Sequence, residues 1–279
     1  MIPPEFDYVA PASLDEALQA LQQGGEDAKV LAGGHSLIPL MKLRLAFPTL
    51  LVDLRKLDDL RGIRANGEVT IGALTTHAEI EDDKGLGLLA RAASTIADRQ
   101  VRHRGTIGGS LAHGDSASDL PAVLLALEGS VVARGSGGER TIAAADLFVD
   151  LWTTSLKPDE IVTEVRVPSP EGWGFGYQKF NRRREDWAMV AVCALVRKSG
   201  DSAEDVRVGL TNMGPTPLRA TAVEEALRGQ PLSAESIASA AEQAAEGTSP
   251  TGDLNATAEY KQHLARVLCA RALTEAAQL

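Results

Sequence analysis

Cysteine is nearly absent from this 279-residue chain: Cys193 and Cys269 are the whole supply. They form no C-x-x-C pair, so neither a disulfide scaffold nor an iron–sulfur cluster held by this chain alone is expected, and two thiols fit a reducing compartment. Long apolar runs are missing as well. No stretch approaches the roughly 20 apolar residues of a membrane span. The segment Met1–Asp7 shows no charged stretch leading into an apolar core, so no signal peptide is visible and a cytoplasmic location is expected. Positive charge is in deficit: 28 Lys and Arg face 38 Asp and Glu, a formal net charge of −10. That balance argues against general nucleic-acid binding, which needs a basic field. His77, His103 and His263 lack ligand-like spacing, and no metal site is expected. There is no internal repeat and no low-complexity linker.

Two common phosphate-binding fingerprints are also missing. No Gly-Lys-Ser/Thr of a Walker A loop and no G-x-G-x-x-G follows any expected strand. In their place stand two glycine-rich turns about seventy residues apart, Ala32-Gly33-Gly34-His35-Ser36 and Thr106-Ile107-Gly108-Gly109-Ser110. Successive N–H groups of such a turn form a concave nest that holds phosphate oxygens, and glycine lets the backbone approach closely. A single turn of this kind is weak evidence. Two of them point to a long, doubly anchored, phosphate-bearing ligand.

Around the turns the chain reads as three α+β units, 1–55, 56–170 and 171–279. Ser13-Leu14-Asp15-Glu16 is a capping box opening a helix that Gly24-Gly25 stops. Lys29–Leu31 and Thr49–Asp53 read as strands, with a helical turn at Leu37, Leu40 and Met41 between them. In the second unit Val69–Gly72, Ser130–Ala133 and Ile161–Val167 read as strands, the last with valines alternating against polar residues over 162–167. Thr76–Glu79 is a second capping box, and Asp119 stands in an N-cap region before a helix running through Leu127. The third unit has strands at Trp173–Phe180, Ala188–Val196 and Val206–Leu210, then alanine-rich helices from about Thr221 and Ser233. A longer terminal helix carries Tyr260, Leu264, Val267 and Leu268 on one face.

Taken in order, Ala32–Leu37, Lys42-Leu43-Arg44, Gly105–His113, Asp119–Ala122 and Tyr177–Ala188 resemble the FAD-binding medium subunit of molybdenum hydroxylases. The resemblance runs over essentially the whole chain. It implies an α+β fold, a two-lobed PCMH-type FAD-binding region followed by a C-terminal antiparallel sheet with helices. It also implies non-covalent FAD. By that resemblance Ala32, Gly33, Gly34, His35, Ser36 and Leu37 line the diphosphate, and Thr106, Gly108 and Gly109 approach it from the second turn. His113 touches the cofactor and Asp119 hydrogen-bonds its ribose. Val162, with Ile161, packs near the flavin, and Lys179 lies by the pyrimidine edge of the ring. A valine at position 108 is then expected to obstruct the diphosphate.

Read from the residues alone, some of these positions have second readings. His35 also reads as a polar turn residue, His113 as a loop histidine, Asp119 as a helix cap (a role compatible with the cofactor contact), Lys179 as a solvated strand residue, and Arg182–Asp186 as an exposed loop with internal ion pairs. Tyr177 either covers the ring or fills a core, and Trp152 and Trp173 suit a core or an interface. The function the resemblance implies is electron transfer. Substrate is oxidised at a molybdopterin cofactor on a large partner subunit, and electrons pass through [2Fe–2S] clusters on a small partner to FAD here, the three chains assembling, as the resemblance implies, into a heterohexamer. The competing expectation is an autonomous small FAD-dependent reductase of related fold. No catalytic acid, base or nucleophile is expected on this chain.

Overall fold

The computed structural model describes residues 2–278, and among them three larger β-sheets, one parallel and two antiparallel, frame the chain beside a two-stranded one at Phe148–Asp150 and Thr153–Thr154. The first is parallel, with Leu50–Asp53 flanked by Asp7–Val9 on one side and Ala28–Leu31 on the other. Parallel strands need crossovers, and the helix Leu14–Gly24 provides the first of them, burying Ala17 and Leu21. Its Ser13 cap accepts from the Glu16 N–H as expected, but Glu16 reaches past Ser13 to the Ala12 N–H at 2.8 Å. Asp7–Val9 is a three-residue edge strand, too short to show a period in sequence.

The second sheet is antiparallel, in the order Ile63–Asn66, Glu68–Gly72, Ile161–Val167, Ser130–Gly135, Gly138–Ala143. The alternation expected over 162–167 fails at one place. Thr163 and Glu164 are consecutive polar residues, and the strand bulges between Val162 and Glu164 against its neighbour. The bulge is anchored: Thr163 donates its hydroxyl to the Val132 carbonyl at 3.2 Å and accepts from the Ala73 N–H at 3.0 Å. Leu74 and Ile161 join the apolar cluster of the first sheet, so the two units share a core.

The third sheet pairs Trp173–Phe180, Val190–Ser199, Ser202–Thr211 and Leu218–Arg219 antiparallel. The helix Ala258–Ala277 packs on it, admitted by Gly176, where a Cβ would lie 2.1 Å from the Ala272 carbonyl oxygen. Its buried stripe differs from the expected one. Leu264 and Leu268 face inward with Ala265, Cys269, Ala272 and Leu273, whereas Tyr260 is exposed and Val267 half-buried. The stripe admits Lys261 because its ammonium finds the Thr251 carbonyl and the Asp253 carboxylate, both at 2.8 Å. A helix so rich in alanine packs by close approach, and no large-residue face has to mark its inner side.

The helix Asp119–Ala126 joins the second and third sheets. Its first six residues and Ala126 are buried, the pattern of a helix enclosed on all sides. At Gly209 a Cβ would lie 2.4 Å from its Ala122 carbonyl oxygen, so strand and helix backbones nearly touch.

Candidate cofactor site

The first glycine turn leaves the end of Ala28–Leu31 and enters the helix Leu37–Lys42. Gly34 has φ +79°, open only to glycine without strain. At Gly33 a Cβ would sit 2.2 Å from the Arg104 carbonyl oxygen, so this turn rests directly on the chain leading into the second. The N–H groups of Gly33, Gly34, His35 and Ser36 have no acceptor among the described residues. They are a set of unspent donors. His35 stands at the mouth, its pKa lowered first by desolvation and then by the Arg104 charge.

The second turn is built differently. Thr106 caps the helix Ile107–His113 by accepting from the Gly109 N–H at 3.2 Å. Ile107 donates to the Thr75 carbonyl and Gly108 to that of Ala73, at 3.1 and 2.9 Å. The N–H groups of Ile107, Gly108 and Gly109 are therefore committed to the protein, whereas that of Thr106 has no acceptor among the described residues. A Cβ at Gly108 would meet Ala73 at 2.6 Å, in the wall, so the expectation that a valine there projects into the ligand path is corrected. Gly109 is the position that borders the gap: a Cβ there would lie 3.7 Å from that of Ala32 and 2.9 Å from the capping hydroxyl. Under this turn His77 packs its ring where any side chain at Gly105 would go. Burial, then the charges of His35 and Arg102, lowers the His77 pKa to about 4, and its Nδ1 has no hydrogen-bond partner among the described residues.

At the other end Asp119 and Lys179 form a buried ion pair of 2.9 Å. Asp119 is the first residue of its helix and not its cap; Ser118 holds that position and makes no side-chain cap bond. The carboxylate is drawn instead to the Tyr177 hydroxyl at 2.7 Å and to Lys179, while Lys179 also donates to the Thr95 carbonyl at 3.1 Å. Burial pushes the Asp119 carboxyl up, opposed by Lys179 and by the Tyr177 hydrogen bond. The neighbouring segment is pinned by Arg102, which pairs with Glu81 at 2.7 Å and donates to the Ile96 and Ala97 carbonyls. That bracing holds Ala97 at φ +39°.

Between these ends runs one cavity of about 480 Å³. Ala32, Gly33, Gly34, His35, Ser36, Leu37, Thr106, Gly108, Gly109, His113, Asp119, Val162 and Lys179 all line it. So do residues that no motif marked, among them His77, Ile96, Ala97 and Glu160. His77 was hidden inside a capping box, and Ile96 and Ala97 lie in a segment without periodicity. Tyr177 is buried and does not line the cavity, which settles it as a core residue. The loop at Arg182–Asp186 closes by hydrogen bonds from Asn181 and the Arg183 N–H and shows no internal ion pair among the described residues, while Glu185, Asp186 and Trp187 reach the cavity. Trp152 is exposed, and Trp173 lies between Arg197 and Arg207.

Residues 4–170 match the family described as FAD binding domain in molybdopterin dehydrogenase, and residues 175–276 match the CO dehydrogenase flavoprotein C-terminal domain. The chain belongs to the FAD-binding family of molybdopterin dehydrogenases. It is 43% identical to the carbon monoxide dehydrogenase medium chain of Hydrogenophaga pseudoflava, covering 99% of this chain and 98% of that one. It is 40% identical to the 6-hydroxypseudooxynicotine dehydrogenase complex subunit alpha of Paenarthrobacter nicotinovorans, covering 99% and 96%. The structure of the Hydrogenophaga pseudoflava carbon monoxide dehydrogenase that lacks the Mo-pyranopterin moiety superposes with a TM-score of 0.96, at 44% identity and 99% and 98% coverage. The α+β architecture expected from the resemblance is thus the family's own.

The cavity of this FAD-binding chain suits the cofactor on chemical grounds. A diphosphate needs several convergent donors, and the first turn has them unspent. A flat ring system needs apolar walls, which Leu74, Ile96, Ile161 and Val162 supply. Among the described residues no helix is long and apolar enough to cross a membrane.

Proposed function

We propose that this chain is the flavin-bearing electron-transfer subunit of a molybdenum-containing hydroxylase or dehydrogenase, carrying electrons from [2Fe–2S] clusters on a partner subunit to an external acceptor. The observation that carries the reading is the single cavity that unites the unspent donors of Gly33–Ser36 with the buried Asp119–Lys179 pair. Bound there, FAD supplies a centre able to exchange electrons singly or in pairs.

Each residue's task follows from its place. Ala32 to Leu37 cradle the diphosphate, with the N–H groups of Gly33 to Ser36 donating. Thr106 and Gly108 hold the second turn close, and Gly109 keeps the gap between the turns open. His113 contacts the cofactor from the end of its helix. Val162, presented by the bulge at Thr163, packs on the ring with Ile161. Because Asp119 and Lys179 are bonded to each other, we assign them together to the ring end. There the ammonium would stabilise negative charge on the ring's pyrimidine edge, and Asp119 keeps lone pairs for a cofactor hydroxyl.

The three units are 1–55 and 56–170, which enclose the cofactor, and 171–279, which brings Lys179 to it. The partners are a large molybdenum-cofactor subunit and a small [2Fe–2S] subunit, two such trios forming a heterohexamer in the cytoplasm. Co-expression with those two chains is expected to give a complex whose visible spectrum contains flavin, and acid precipitation is expected to release the colour. A colourless complex, or rapid NADPH-driven turnover of an organic substrate by this chain alone, would sink the proposal.

A further inference from the structure

Tyr177 is 2% exposed, does not line the cavity, and nevertheless carries a hydroxyl. A buried hydroxyl is costly unless it is bonded, and this one donates to Asp119 Oδ1 at 2.7 Å. Tyr177 and Lys179 are two apart on the strand Trp173–Phe180, so their side chains leave the same face. Lys179 donates to the other oxygen, Oδ2. Both carboxylate oxygens therefore accept, the pattern of the anion. Phenylalanine would fill the same space, so the hydroxyl is there for Asp119.

We propose that Tyr177 is a positioning residue for the electron-transfer site: its hydroxyl shares the charge of Asp119 and fixes that carboxylate, so that the Lys179 ammonium is held at the cavity wall with part of its field directed at the ring. The inference rests on the placement of Lys179 beside the flavin given above. Without the hydroxyl, the whole charge of Asp119 falls on Lys179. The ammonium is then drawn toward the carboxylate and less of its field reaches the cavity. Reduction of the ring, which adds negative charge, becomes harder. The Thr95 carbonyl fixes the lysine from its other side, so the shift is smaller than that caused by losing the cation itself.

The test is a reductive titration of the FAD-loaded full chain, read by flavin absorbance, with FAD stoichiometry and Tm recorded alongside. Tyr177→Phe is expected to shift the midpoint potential negative. In a background carrying Asp119→Asn and Lys179→Met together, a neutral pair of similar shape, the same Tyr177→Phe change is expected to have no further effect. An equal shift in both backgrounds, or none in the parent, overturns the positioning role. A neutral-pair background with the parent potential instead overturns the placement of Lys179 by the ring. Should Tyr177→Phe fail to fold, Asp119→Asn alone decides: leaving Lys179 uncompensated, it is expected to shift the potential positive, and a zero or negative shift contradicts the coupling.

Discussion

The two glycine turns look alike in sequence and are opposites in use. Gly33–Ser36 leaves its N–H groups without acceptors, whereas Gly108 and Gly109 give theirs to Ala73 and Thr106. Gly34 is glycine for its positive φ, and Gly108 for a contact that would place a Cβ 2.6 Å from Ala73. In the function proposed above, the first turn is the ligand surface. The second is a wall, locked to the sheet through Ala73 and, behind it, the bulge at Thr163. The lesson is that a Gly-Gly pair announces close approach without saying what approaches.

Substitutions at the two turns should therefore fail in different ways. Gly108→Val is expected to cost about 3 kcal/mol of fold stability through overpacking against backbone, measured by urea unfolding of the FAD-free chain. A variant as stable as its parent that had merely lost FAD would restore the second turn to the ligand surface. The bed of that turn is also acid-sensitive. Unfolded His77 takes up a proton near pH 6.5, but folded His77 does so only near 4. Stability is then lost as pH falls through this window, by about 3 kcal/mol in all. His77→Leu should flatten that part of the stability-versus-pH curve, and an unchanged slope would remove His77 from the account.

At the first turn the smaller change Gly34→Ala meets φ +79° and the Ile38 side chain. It should cost about 1–2 kcal/mol of strain and, by misaligning the donors, weaken FAD binding about tenfold in a fluorescence titration. If binding is unchanged, the donors are not the cradle. The smallest effect belongs to Gly109→Ala, which crowds the Thr106 cap. About 1 kcal/mol of stability should go, with a modest loss of FAD affinity because the gap toward Ala32 narrows. An affinity loss larger than that of Gly34→Ala would reverse the ranking of the turns.

Much of this was legible from residues alone. The Lys29–Leu31 strand, the helical turn at Leu37 and both glycine pairs follow from local rules, and the residues nominated from either end of the chain converge on one cavity. What escaped the sequence depends on distant partners. Whether an N–H at position 108 is free is decided by Ala73, just past the end of the strand Glu68–Gly72, and whether Asp119 caps its own helix is decided by Tyr177 and Lys179 from another sheet. The bulge was written in the doublet Thr163-Glu164 and was masked by the valines around it. The inner face of the last helix was hidden because alanines, not large residues, make the contact.

The contrast between the turns is tested most directly by amide hydrogen exchange, resolved by residue, on the FAD-free and FAD-loaded chain. The amides of Gly33, Gly34, His35 and Ser36 should exchange fast without FAD and become protected with it, while Gly108 and Gly109 should be protected in both. Unchanged exchange at Gly33–Ser36, with new protection at Gly108 and Gly109, would contradict the assignment of donor and wall.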